Sequence, residues 1–174
     1  MSRATAIALL LVTSSCGYRS VAARSGSEKL SVVLVSSNVP DAVASDEVLA
    51  GVRDELARAG ALESGNAYPR CEVEVLRADE ASEGIAATPN ADERLIPEAR
   101  ATRVGIVARA WVVRSKDAPH ERDTGDVRAL DVVATAPDAK TATYRHADSL
   151  RAAARRAGRR IAARLLGLPS ASEE

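Results

Sequence analysis

The sequence predicts an α+β two-layer sandwich: two amphipathic helices on one face of a four-stranded, mostly antiparallel sheet, in the order βαβββα. Three observations predict it. Two stretches repeat apolar residues every three or four positions and close on glycine, as amphipathic helices do. Four shorter runs are rich in Val and bounded by polar or turn residues, as strands are. The apolar fraction is 46% of 174 residues, enough for one core, yet there is no Phe and a single Trp. That core must be built from Val, Leu, Ile and Ala.

Ahead of the domain, residues 1–15 read as an export signal. Arg3 is the only charge; the apolar run Ala4–Val12 follows, and then the small Thr13-Ser14-Ser15. The run is about half of the ~20 residues a membrane-spanning helix needs. Thr13-Ser14-Ser15-Cys16 resembles the lipobox of bacterial lipoproteins, whose cysteine is acylated and becomes the mature N-terminus. The resemblance implies Cys16 as the lipid-attachment residue and a membrane held through N-terminal acyl chains. Each buried acyl CH₂ contributes about 0.8 kcal/mol, so two or more chains hold a protein firmly. Residues 16–29, rich in Ser, Ala, Arg and Gly, are expected to form a flexible tether. The domain then spans 30–169, and 170–174 is a frayed polar tail.

Within the domain, Leu30–Ser36 is β-branched and apolar on both faces, which predicts a central strand or one with a partly covered outer face. Asn38 is expected to cap the first helix, with Pro40 in its first turn. Val48, Leu49, Val52 and Leu56 make its apolar stripe, and Gly60 stops it. Cys71, Val73 and Val75 alternate with Glu72 and Glu74, giving a strand with one wet face. Residues 78–100 are polar, acidic and broken by Gly84, Pro89 and Pro97, and are expected to form a long loop.

Val104–Val113 is the strongest strand, with Val104, Ile106, Ala108, Ala110 and Val112 on one face and Gly105, Val107, Arg109, Trp111 and Val113 on the other. It is expected to pair with 127–135 across a charged loop, placing Leu130, Val132 and Ala134 in the core and Asp131 on the same sheet face as Arg109, with Pro137 ending the strand. Asp148 is expected to cap the second helix, which runs to Leu166 and closes at Gly167. Its core stripe is Leu150, Ala154, Ala157, Ile161 and Leu165, with Gly158 allowing close approach to the sheet.

Chemistry is sparse in this inventory. Basic and acidic residues balance at 24 each, and removing Arg3 with the signal leaves one acid in excess, so no global charge points to nucleic acid. His120 and His146 fall in expected loops without partners at metal-ligand spacing, and no nucleophile elbow or phosphate loop is present. No catalytic, metal or cofactor set is therefore expected. Acylation of Cys16 would consume its sulfur, leaving Cys71 a lone thiol pointing into the core. Glu72 and Glu74 share a strand face and are expected to pair with Arg109 rather than act as an acid–base couple.

Two features suit contacts. Arg151, Arg155 and Arg159 recur every four residues and are expected to form a basic row, either a solvated helix face in an arginine-rich chain or a surface for phosphates of lipopolysaccharide or anionic lipid. Trp111, between Val107 and Val113 on the open sheet face with Arg109, is the candidate for a protein contact, unless another layer or loop covers it.

Cys16-Gly17-Tyr18-Arg19, together with the element order and the closing Arg- and Ala-rich helix, resembles the LptE-type lipopolysaccharide-assembly lipoproteins. Asp123-Thr124-Gly125-Asp126 is similar to the hairpin turn before that family's last strand. Members fold as two helices on a four-stranded sheet, sit at the outer membrane and plug a β-barrel that delivers lipopolysaccharide to the surface. The resemblance implies a non-catalytic assembly or binding subunit without a cofactor, on the periplasmic side of the outer membrane. An auxiliary lipoprotein of an envelope transport or secretion complex is the alternative, and an exported enzyme a third reading.

Overall fold

Strand β1 (Ser31–Ser37) leads into helix α1 (Ala42–Arg58), and strands β2 (Arg70–Pro89), β3 (Leu95–Val113) and β4 (Val127–Ala134) precede helix α2 (Ala139–Leu165). The computed structural model describes residues 28–89, 94–135 and 138–169. The signal, Cys16, most of the expected tether, Pro137 and the tail 170–174 lie outside the described residues. The order βαβββα is the one the sequence predicts. The sheet runs β1-β2-β3-β4, with β1 parallel to β2 and the other two pairs antiparallel. Helix α1 is the crossover that a parallel pair requires, and α1 and α2 pack side by side on one sheet face.

The core between the layers is aliphatic: Val48, Val52 and Leu56 of α1 and Leu150, Ala154, Ala157, Ile161 and Leu165 of α2 close over Val32, Cys71, Val73, Val75, Ile106, Ala108, Ala110 and Val112. Each fully buried Val or Leu contributes about 1.5–3 kcal/mol, so this layer carries most of the stability.

Several expectations are corrected. Strand β1 lies at the sheet edge, with Val35 exposed at a bulge. The cap of α1 is Asp41, whose carboxylate accepts from the amides of Val43 (2.9 Å) and Ala44 (3.2 Å). Asn38 instead donates its amide to the Val75 carbonyl at 2.9 Å and so still belongs to the sheet.

Residues 78–89 and 95–100 of the expected loop 78–100 continue β2 and β3, while 90–93 lie outside the described residues. Their backbones stay paired from Arg70–Val113 out to Pro89–Leu95. Strand β1 leaves this ladder at Val75 and β4 at Ala101, so the outer part is a two-stranded ribbon with no further strand beside it among the described residues.

In β4 the two faces are exchanged. Val127, Ala129 and Val133 turn to the core, whereas Val132 and Ala134 are exposed and Leu130 lies over Gly105. The pairs Ala108–Val127 and Ile106–Ala129 set this register, and a one-residue slip moves every side chain across the sheet. Asp131 consequently meets Arg156 of α2, not Arg109.

Helix α2 begins ten residues before the expected start. Asp138 caps it, accepting from the Thr141 amide (2.9 Å) and hydroxyl (2.7 Å), and Asp148 lies within it, paired to Arg151 at 3.2 Å. Gly158 makes its close approach to α1 rather than to the sheet. A Cβ there would collide with the Val48 carbonyl and the Val52 amide, and one on Gly51 would collide with the Arg155 carbonyl. The two glycines let the helix backbones touch.

Candidate functional site

On the open face of β3 the alternation of the strand sets Val107, Arg109, Trp111 and Val113 away from the helices. Trp111 donates its indole N–H to Glu72 Oε2 at 3.0 Å, and the Arg109 guanidinium stands 5.6 Å from the ring centroid. Arg109 also donates to Glu74 Oε2 at 2.7 Å. That bond, with help from the Ser36 hydroxyl at 3.0 Å, holds the Glu74 carboxyl below its usual range. The two glutamates thus serve as acceptors for the neighbouring strand, as cross-strand pairs do.

Of the two outcomes open to Trp111, exposure to a partner or cover by a loop, the structure has the second. Only 7% of it is accessible, because the 114–126 segment folds back over the sheet and His120 stacks on the indole, with centroids 4.5 Å apart and planes 13° apart. Backbone pairs hold the segment there: Val112 with Glu121 at 2.7 and 2.8 Å, and Thr124 with Ala110 at 2.9 Å. The segment also binds the start of the domain. Glu28 is clamped between Arg114 and Arg122, the latter at 2.5 Å, and Arg114 reaches Glu121 at 2.9 Å. No local pattern marks this clamp, which joins residues about ninety positions apart in sequence.

The basic row of α2 is divided among separate tasks. Arg155 is drawn to α1, bonding Asp54 at 2.8 Å and Glu47 at 3.2 Å. Arg151 pairs with Asp148, and Arg159 is exposed. The row therefore does not gather into one phosphate site, and it sits on the helix layer, across the sheet from Arg109 and Trp111.

A second row, which sequence reasoning left unassigned, closes the outer edge of β4. Arg156 donates to the Leu130 carbonyl (2.7 Å), Arg160 to that of Arg128 (2.9 Å), and Arg164 to those of Thr124 (3.2 Å) and Asp126 (3.4 Å). Four helical residues rise about 6.0 Å and two strand residues about 6.7 Å, so the guanidinium groups keep step with alternate carbonyls. An edge sealed this way is closed to a further strand.

Where the ribbon leaves the body, a groove of about 390 Å³ lies between the sheet and the first turns of α2, lined by Glu80, Thr102, Val133, Thr135, Thr143 and His146 among others. His146 therefore lies on a helix, not in a loop. Cys71 is sealed in the core, where burial, followed by the charge of Glu72, pushes its thiol up to about 12. A thiol so protonated is a poor nucleophile. Among the described residues no group of three His, Cys, Asp or Glu is placed to hold a metal, and no helix is long and apolar enough to cross a membrane.

No family model matches the chain, and no curated protein matches it. Solved structures do. A protein described as a lipoprotein from Caulobacter crescentus CB15 aligns over 78% of this chain and 88% of its own, with a TM-score of 0.52 at 13% identity. A minor lipoprotein from Acinetobacter baumannii aligns over 82% and 96%, with a TM-score of 0.47 at 13% identity. At such identities the Caulobacter likeness establishes a shared fold, the two-layer βαβββα sandwich.

Proposed function

We propose that the chain is an exported bacterial lipoprotein, acylated on Cys16, whose domain is a non-catalytic binding or assembly subunit at the envelope membrane. The observation that carries this reading is the lipobox-like Thr13-Ser14-Ser15-Cys16 in front of a fold shared with a protein described as a lipoprotein. The inert Cys71 thiol and glutamates committed to Arg109 and Trp111 support a binding role over catalysis. The finer reading is an LptE-type protein on the periplasmic side of the outer membrane, with a β-barrel partner. It draws on Cys16-Gly17-Tyr18-Arg19 and on the element order.

Metabolic labelling with a palmitate analogue tests the anchor. The wild type is expected to carry the label and to pellet with membranes, and Cys16→Ala to lose the label while keeping its thermal midpoint within about 2 °C. Wild-type protein without label would overturn the reading. A detergent pull-down of the acylated protein then separates the finer readings. An outer-membrane barrel is expected for the LptE-type role, and an inner-membrane or periplasm-spanning complex for an auxiliary of transport or secretion.

A further inference from the structure

The two ends of the sheet are unlike. At one end Glu28 is clamped by Arg114 and Arg122, and two residues later Leu30 donates to the Ala61 carbonyl at 2.8 Å. The chain therefore enters the domain where β2 begins and β3 ends, at the Arg70–Val113 pair. At the other end stands the ribbon, whose last pair is Pro89–Leu95. Eighteen residues of β3 separate Leu95 from Val113, which is about 60 Å at 3.3 Å per residue.

From this polarity we propose that the ribbon end is the docking end, and that its occupant is an extended segment of a partner protein rather than the anchoring membrane. The proposal rests on the Cys16 reading. Twelve residue steps from Cys16 to Glu28 span at most about 40 Å. An inverted domain would hold Glu28 about 60 Å above the bilayer, beyond that reach, so the ribbon tip is directed away from the membrane that anchors it. Bringing the groove down instead, with Thr102 some 35 Å from Val113, needs a nearly taut chain, which conformational entropy opposes.

The chemistry at this end fits a strand. Among the described residues no strand neighbours either edge of the ribbon beyond the Glu83–Ala101 pair, so each edge offers backbone N–H and C=O groups to an incoming strand. Along the body, β4 is closed by Arg156, Arg160 and Arg164, and β3 beyond β4 by residues 121–124. An incoming segment that adds to the ribbon gains main-chain hydrogen bonds, and pockets beside it supply selectivity. The 390 Å³ groove is such a pocket, with Tyr144 (63% exposed) on the helix beside it. A two-stranded ribbon is marginally stable alone, so a third strand also stabilises it.

Two experiments on the full acylated chain test this. Single cysteines at Ser82→Cys, by the ribbon, and Lys116→Cys, by the clamp, take a donor dye, since Cys71 is buried and Cys16 is blocked. In vesicles carrying a lipid acceptor, transfer from position 116 is expected to exceed that from position 82 at least twofold. Flotation with equal or reversed transfer overturns the proposal alone; failure to float overturns the Cys16 reading and this one with it. In the second experiment residues 84–100 are replaced by Asn-Gly, closing the ribbon at its Glu83–Ala101 pair. This variant, still acylated, is expected to lose the partner retained by the full chain. An unchanged pull-down would overturn the docking site.

Discussion

Trp111 shows how much a single side chain gains from its surroundings. Alternation along β3 places it on the open face, and that much is legible in Val107-Ala108-Arg109-Ala110-Trp111. That a loop could cover it is legible too, but not that His120 does so, because the loop's return is fixed by backbone pairs to Ala110 and Val112. The chain has a single Trp, so its fluorescence reports this site alone. Emission is expected to be blue-shifted and only weakly quenched by acrylamide in the wild type. His120→Ala should raise quenching several-fold with a small loss of stability, whereas Trp111→Ala should cost about 3–5 kcal/mol, as truncating buried aromatics does. Strong quenching in the wild type would mean that the 114–126 segment does not rest on the sheet.

The helices meet where their sequences permit the least separation. Gly51 and Gly158 face one another across the α1–α2 contact, and a methyl group on either would meet backbone, which cannot swing aside as a side chain can. Gly158→Ala should therefore destabilise by about 3 kcal/mol, at the upper end of ordinary overpacking. In a domain of this size that lowers the thermal midpoint by roughly 10 °C. A midpoint within 2 °C of wild type would show that the helices are free to part. The apolar stripe of α2 was legible because 3.6-residue periodicity is local, and Leu150, Ala154, Ala157, Ile161 and Leu165 are all buried. Its first turns were not, since Ala139–His146 project past α1 and have little core to mark with apolar residues. The faces of β4 were ambiguous for the opposite reason. Val127, Ala129, Leu130, Val132, Val133 and Ala134 offer apolar residues in both phases, and only pairing with β3 decides between them.

At the scale of the whole molecule, stability and display occupy different parts of the chain. Among the described residues, every member of the helix–sheet core lies in 30–75 or 106–165. The ribbon holds its shape through backbone pairs, which is why a stretch read as a polar loop folds as strands: such pairing needs no apolar alternation. If the core alone sustains the fold, the variant with 84–100 replaced by Asn-Gly should keep its thermal midpoint within about 3 °C, because the closing Glu83–Ala101 pair already has the geometry a two-residue hairpin turn joins. Its folding should quicken slightly, since fewer residues separate the β2 and β3 segments that enter the core. A fall of 10 °C or more would make the ribbon part of the structural body, and loss of partner by that variant would then report unfolding rather than a missing contact. With the midpoint preserved, the same loss assigns the contact to the ribbon.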